Sequence, residues 1–396
     1  MLKKFKFIFI LALSCLLLVM AANICAAADT RGIFASPEIN KLIDENYKFV
    51  VRNSYAELRI PESLHGIKRS IFSKNALDVA ARLIANGFPV YLVGRTVRDL
   101  AAGLKADDFD FSTPASVEEQ RQIFGDKLET VTIPIGLTFG HINYPDERVD
   151  LTAFCNIPAA YLGLEGVPEF DPSSLYSTSL LYDSFQRDLT FNALYYDLQT
   201  GDIIDFHGGL YDLREGIIET MTDADVVFTN DSRKALRALR FKAQFNFNFS
   251  ENVELAMRAN AERYINAIRP GDLTSTLSKM FRPGIARRSF DVLTDYGVFG
   301  ILFPAVKDIC SSSEYQKYAV NAMDFLDSQS NAPQGMFIAL LLRPALKDKS
   351  IKEILDEQSK VYKWSEGERE SAEKILRGDA EPDNNKNNNK ELDEAA

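Results

Sequence analysis

Histidine, cysteine and tryptophan are scarce in this 396-residue chain, which holds three, four and one of them. Four cysteines over such a length exclude a disulfide scaffold, and three histidines exclude a histidine-rich metal centre. None of His65, His141 and His207 is followed by aspartate, which disfavours a metal-dependent phosphohydrolase of the H…HD type. Basic residues are in the minority too, 45 against 56 acidic. A net charge of −11 argues against a whole surface that binds polyanions indiscriminately, though it leaves room for a local basic groove. What is present is an ordinary globular mix, 46% hydrophobic and 26% charged, in a chain long enough for two or three domains.

The first residues read as a leader rather than as part of the fold. Lys3, Lys4 and Lys6 form a positive stretch, residues 7–22 are almost wholly apolar, and Ala26-Ala27-Ala28 offers small side chains for cleavage before Asp29. The apolar run falls short of the roughly 20 residues a membrane span requires. The reading is a cleaved signal peptide over 1–28 and an exported protein with no membrane association after cleavage. Translation from Met20 would instead leave a cytoplasmic protein; the order of positive, apolar and small-residue parts favours export. Cleavage removes three lysines and leaves Cys155 and Cys310, read as two unpaired, buried thiols in different domains. Residues 379–396 are rich in Asn, Asp, Glu and Lys without apolar periodicity, and read as a disordered tail.

Between the ends, two textures follow one another. Ser73 is a plausible N-cap for a helix carrying Ala76, Leu77, Ala80 and Ile84 at helical spacing, with Gly87 as its stop. A buried strand over 89–93 leads through Gly94 into a short helix starting near Val97. A second strand holds Asp108 to Phe111, residues 116–124 are helical, and strand-like runs follow over 129–133, 138–144 and 148–155. From Thr222 onward the pattern is helical, clearest over 231–245, 252–260, 273–281 and 285–296, punctuated by Pro270-Gly271 and Pro283-Gly284. The expected fold class is α+β: a head of mixed sheet and helices over 40–215, then an all-helical neck over 216–305 and a C-terminal helical region over 306–378.

The sharpest chemical signal is Asp108-Phe109-Asp110. Side chains two apart on a strand share a face, so both carboxylates would project together while Phe109 enters the core. Adjacent carboxylates repel unless a cation sits between them, and Mg²⁺ suits them, because it takes oxygen ligands and bridges to substrate phosphates. In isolation such a pair reads more readily as a solvated turn. Its weight comes from the upstream run Tyr91 to Asp99, a strand turning at Gly94 into a helix, where free backbone N–H groups can hold phosphate oxygens.

Together these residues resemble the nucleotidyltransferase family of bacterial poly(A) polymerases and class II CCA-adding tRNA nucleotidyltransferases. The family pattern G-G-x-V-R-D, loop, D-F-D appears as Gly94-Arg95-Thr96-Val97-Arg98-Asp99 and Asp108-Phe109-Asp110. Residues 186–194 (QRDLTFNAL) are similar to R-R-D-F-T-x-N-A-L, and residues 204–213 (IDFHGGLYDL) to I-D-x-x-G-G-x-x-D-L. Residues 230–241 are similar to E-D-P-x-R-x-L-R-A-x-R-F, and residues 284–304 to the family's later helical region. The resemblance implies a nucleotidyltransferase head and two Mg²⁺ ions, with Mn²⁺ as a substitute. It also implies attack by an RNA 3′-hydroxyl on the α-phosphate of ATP, or of CTP as well, with release of pyrophosphate. The acceptor would be tRNA or mRNA.

Carried over residue by residue, Asp108 and Asp110 would be catalytic metal ligands. Asp150 is either a third ligand or an edge-strand acid facing water. Asp188 is a catalytic carboxylate or one that positions an arginine. Gly94 and Arg95 form the phosphate turn, and Arg98, Arg187 and Asn192 would contact triphosphate and ribose; Asp99 pairs with an arginine or touches the ligand. Asp231, Lys234, Arg237 and Arg240 are spaced to share one helical face, which in the family reads the incoming base; on spacing alone a solvated basic surface is the preferred reading.

Four features depart from the family. Arg95 stands at the second glycine, Gln186 at the first arginine, and Asn230 and Lys234 at the glutamate and arginine of the base-reading pair. The chain is also acidic, with Arg282, Arg287 and Arg288 as a small basic track. Softened base recognition favours poly(A) addition over switching between C and A. The alternatives are an exported, catalytically weakened paralogue serving as a nucleotide- or RNA-binding module, and transfer to a small molecule or protein. Oligomeric state is not legible.

Overall fold

The computed structural model describes residues 32–50, 57–105, 109–132, 138–155, 179–333 and 335–379. The proposed leader, Asp108 and the tail beyond Asp379 lie outside the described residues. The chain divides into two compact units between Met221 and Thr222. Among the described residues no helix is long and apolar enough to cross a membrane.

The elements of the first unit that place the site alternate along the chain. They are α1 (Pro37–Val50), β1 (Leu58–Ile60), α2 (Lys74–Ala85), β2 (Tyr91–Val93), α3 (Arg95–Ala101), β3 (Asp110–Thr113) and α4 (Val117–Phe124), followed by β4 (Leu128–Thr132), β5 (Thr138–Asn143) and β6 (Arg148–Ala153), and then by α5 (Leu180–Ser184), β7 (Tyr195–Asp197), β8 (Ile203–Asp205) and α6 (Gly209–Glu215). The strands form one mixed sheet in the order β1-β8-β7-β2-β3-β6-β5-β4. Within it β3 and β6 pair in parallel, and the other neighbours are antiparallel.

Local chemistry explains most boundaries. Ser73 caps α2 by accepting from the Ala76 N–H at 3.0 Å, a contact worth about 1 kcal/mol. The helix then buries Ala76, Val79, Ala80 and Leu83 along one stripe. Ser116 and Glu119 form a reciprocal capping box at the start of α4. The strand expected over 108–111 begins at Asp110. The helix expected near Val97 begins at Arg95, because Gly94 makes the whole turn itself at φ 75° and ψ −128°, a region closed to side chains with a Cβ.

One face of the sheet carries Leu92, Phe111, Leu151 and Tyr196, all buried, beneath α2 and α4. Phe109 lies on this side as expected, 6% exposed and edge-on to Phe72. Between Val93, Tyr195, Ile204 and Phe206, a second apolar cluster on the other face packs against Leu180 and Leu181 of α5.

Among the described residues the second unit is helical apart from the short strand Asn248–Phe249. Its helices include α7 (Ala224–Asn230), α8 (Arg233–Phe245), α9 (Glu251–Asn266), α10 (Pro270–Met280), α11 (Ala286–Asp295) and α12 (Phe299–Leu302). The C-terminal region adds α13 (Ser313–Asp327), α14 (Met336–Leu342), α15 (Ile351–Gln358) and α16 (Glu366–Arg377). Its core is aromatic: Phe281 stacks on Phe337 and meets Phe303 edge-on, and Phe290 meets Phe299. Pro270 opens a helix rather than breaking one, since a first-turn residue needs no N–H partner. The helix expected to stop at Asn260 runs on to Asn266. Cys155 and Cys310 are both free, but only Cys155 is buried; Cys310 is half-buried. Arg287 is engaged with Asp291 and Asp324 rather than forming an open basic track.

Candidate active site

The strand register assembles the acids that the sequence left scattered. Asp110 on β3 stands directly opposite Asp150 on β6. Asp150 in turn faces His141 on β5, and His141 faces Glu129 on β4. Cross-strand partners share a face, so these four side chains form a row across the sheet. The row continues as apolar floor on the other side, because Val93 pairs with Tyr195 and Tyr195 with Ile204. The β2–β3 register continues to set Val93 level with Asp110, with the Gly94 turn just beyond.

Asp150 is therefore on an interior strand, not an edge, with its side chain 41% exposed and its Oδ1 accepting from Arg148 Nε at 2.6 Å. His141 lies beside it with Nε2 3.1 Å from Glu129 Oε2. Asp110 and Asp150 offer hard carboxylate oxygens from adjacent strands, the donor chemistry that fits Mg²⁺ or Mn²⁺. Among the described residues no group of three or more His, Cys, Asp or Glu side chains is arranged to hold a metal ion. Asp108, expected to complete the set, lies outside them.

A second assembly lies at the Gly94 turn. Arg98 is buried and donates from Nε and Nη2 to Asp99 Oδ1 at 2.9 and 2.7 Å, and from Nη1 to Asn192 Oδ1 at 2.8 Å. Asn192 Nδ2 donates at 2.9 Å to Asp188 Oδ1, which also accepts from the Leu189 N–H. Arg95, whose side chain is half-exposed, reaches Asp99 Oδ2 at 3.3 Å. Burial pulls the Arg98 guanidinium below its ordinary pKa, opposed by Asp99 and Asp188. The structure thus brings Arg95, Arg98, Asp99, Asp188 and Asn192 into one chain of charge-assisted bonds.

Arg187 sits elsewhere. Its Nη2 donates at 2.8 Å to Asp183, whose side chain is fully buried. Although burial acts to lower the arginine's pKa, the Asp183 carboxylate raises it overall, and the guanidinium stays charged. Asp183 also accepts from Ser112 Oγ at 3.0 Å, from Tyr195 OH at 2.8 Å, from the Cys155 N–H at 3.1 Å, and from Gln186 Nε2. Asp183 lies outside every motif described above. The available signal was its spacing of four from Arg187, which suits an ion pair.

The glycine-rich run that follows is architectural. Asp205 accepts from the backbone N–H groups of His207, Gly209 and Leu210 at 2.9, 3.0 and 2.8 Å. Asp212 accepts from Thr190 Oγ1, locking the segment that carries Asp188 and Asn192 onto α6. Gly209 permits this approach: a Cβ there would meet the Thr190 carbonyl oxygen at 2.2 Å.

In the second unit, Lys234, Arg237 and Arg240 lie on α8, but Asp231 does not. It follows α7 in extended backbone, because α8 starts only at Arg233, and it receives Arg233 Nε and Nη2 at 2.8 Å each. Burial acts to raise the Asp231 pKa, but the Arg233 bonds and charge outweigh it and lower it. Arg240 lies 4.0 Å from the centre of the Phe241 ring and donates to Gln244.

Comparison with known proteins places this geometry. Residues 90–219 match the family described as the poly A polymerase head domain, and residues 246–310 match the probable RNA and SrmB-binding site of polymerase A. Poly(A) polymerase I of Salmonella typhimurium is 31% identical over 259 residues, covering 62% of this chain and 53% of that protein. The CCA-adding enzyme of Bacillus licheniformis is 32% identical over 227 residues, covering 57% of this chain and 54% of that one. The chain spans about half the length of these curated relatives. Among solved structures, the CCA-adding enzyme of Bacillus stearothermophilus in complex with CTP superposes with a TM-score of 0.60 at 22% identity, over 79% of this chain and 70% of that one. With head-domain and RNA-binding-site matches in the order of the motifs, the chain is a homologue of bacterial poly(A) polymerases and CCA-adding enzymes.

Proposed function

We propose that the protein is a metal-dependent nucleotidyltransferase that extends RNA 3′ ends, with ATP as the main donor and CTP as a second. The observation that carries the reading is the in-register pair Asp110 and Asp150 beside the Gly94 turn. Asp110 and Asp150, with Asp108, would hold Mg²⁺ or Mn²⁺. A divalent ion there would supply charge stabilisation to the attacking and leaving oxygens of an in-line displacement.

The chain's own residues divide the remaining work. Arg95 is exposed enough to meet a triphosphate, whereas Arg98, committed to Asp99 and Asn192, holds the turn in shape. Asp188 orients Asn192 through its Oδ1. Lys234, Arg237 and Arg240 on α8 are proposed as nucleotide contacts. Asp231, held by Arg233, is proposed as the acceptor at the start of that surface. Solved neighbours were crystallised with CTP, with ATP and with tRNA, and the same classes of partner are proposed here, with tRNA or mRNA as acceptor. Export through the leader over 1–28 is proposed on the sequence alone.

The test is incubation of the purified protein with Mg²⁺, each nucleoside triphosphate in turn and pooled short RNAs, with 3′ ends read by sequencing. Untemplated additions, biased to A and abolished by Asp110→Ala, are expected. Tight RNA binding with no addition under any triphosphate would reduce the protein to a binding module.

A further inference from the structure

We infer that Asp183 is a positioning residue of the active site, a single buried carboxylate that holds β3, β6 and Arg187 in working geometry. The inference rests on the reading of Asp110 and Asp150 as metal ligands.

Asp183 reaches the strand that carries Asp110 and the residue just past the strand that carries Asp150. Ser112, which donates to it at 3.0 Å, lies two residues beyond Asp110 on the same strand and the same face. Cys155, whose N–H donates at 3.1 Å, follows directly on from β6, the strand that carries Asp150. Tyr195, donating at 2.8 Å, sits in the row that runs through Val93 toward Asp110. One carboxylate therefore ties together the two parallel strands whose register sets Asp110 against Asp150.

Stability alone gives no reason for this arrangement. A charge with a fully buried side chain is costly to desolvate, and well-packed apolar residues commonly replace buried ion pairs at no loss. Here the cost is offset by five donors and by the Arg187 guanidinium, the only full cation among those donors. Gln186, which stands where the family pattern has arginine, is turned onto the same carboxylate. The departure therefore alters the charge of this cluster, leaving one arginine against one aspartate. Ser112 Oγ also lies 3.4 Å from Arg187 Nη2, which couples the arginine to the acid-bearing strand.

The experiment is Mn²⁺ binding followed by electron paramagnetic resonance, alongside far-UV circular dichroism and thermal unfolding, for the parent, Asp183→Asn, Ser112→Ala and Tyr195→Phe. Asp183→Asn is expected to weaken Mn²⁺ binding by about 10-fold, the low end of the range for direct partners of metal ligands, because Asp183 acts through the strands and not on the ligands themselves. Ser112→Ala and Tyr195→Phe each delete one donor and should weaken binding in the same direction by a smaller factor, which keeps the test open if Asp183→Asn does not fold. Folded variants with lowered thermal midpoints and parental Mn²⁺ affinity would overturn the inference and leave Asp183 merely structural. A parent that binds Mn²⁺ yet extends no RNA removes the proposed transfer and leaves the positioning role standing. A parent that binds no Mn²⁺ overturns it.

Discussion

His207 makes the head domain sensitive to mild acid. The imidazole is 6% exposed, edge-on to Phe185, with Nε2 2.6 Å from Ser184 Oγ. Burial lowers its pKa to about 3, against about 6.5 in an unfolded chain. The folded state therefore keeps His207 neutral while the unfolded state takes up a proton. Stability is fully present above the unfolded pKa and is lost as pH falls toward the folded one. Between pH 7 and pH 5 the linkage amounts to about 2 kcal/mol. Asp205 and Asp212 act with the opposite sign, since burial raises both and protonation then favours the folded state. Comparison with His207→Gln isolates the histidine, because both proteins share those aspartates. Urea unfolding at the two pH values, followed by far-UV circular dichroism, is the assay; Trp364, the single tryptophan, lies in the second unit and would report on the wrong domain. The parent should lose about 2 kcal/mol more than the variant between pH 7 and pH 5. Parallel losses would show that His207 does not carry the linkage.

Gly209→Ala should destabilise the head by about 3 kcal/mol or more, because the new Cβ would lie 2.2 Å from the Thr190 carbonyl oxygen and 2.6 Å from its carbon; an unchanged thermal midpoint would contradict that close approach. Cys155, whose thiol burial pushes up to about 12 with Asp183 adding to the effect, should stay unalkylated by iodoacetamide at pH 8 in the native protein. Peptide mapping by mass spectrometry should find label on half-buried Cys310 alone of this pair; equal labelling of both would show that the Cys155 pocket opens.

Much of the fold was legible because its signals are local. Ser73 caps the helix it was expected to cap, residues 117–124 form the expected helix, and the strands over 128–132, 138–143 and 148–153 lie within two residues of their apolar alternation. Where boundaries shifted, a neighbouring residue had taken over the local role. Gly94 absorbs the turn and lets α3 start early, while the end of α7 and Ser232 leave Asp231 outside α8. The site was legible in its motifs but not in its wiring. Arg98, Asn192 and Asp188 all stand in the motifs, yet nothing in their spacing shows that Arg98 bonds Asn192 across more than ninety residues of chain, or that Asn192 passes the contact on to Asp188.

Sequence by itself determined the order of the motifs, the capped helices and the glycine turns, because each depends on backbone preferences within a few residues. Tertiary structure decided which acids meet. Asp150 faces Asp110 only because β6 pairs in parallel with β3 at one register, and a slip of one residue would turn it to the opposite face. It decided the role of Asp183 as well, since its five donors come from Ser112, Cys155, Gln186, Arg187 and Tyr195, which only folding brings around one buried carboxylate.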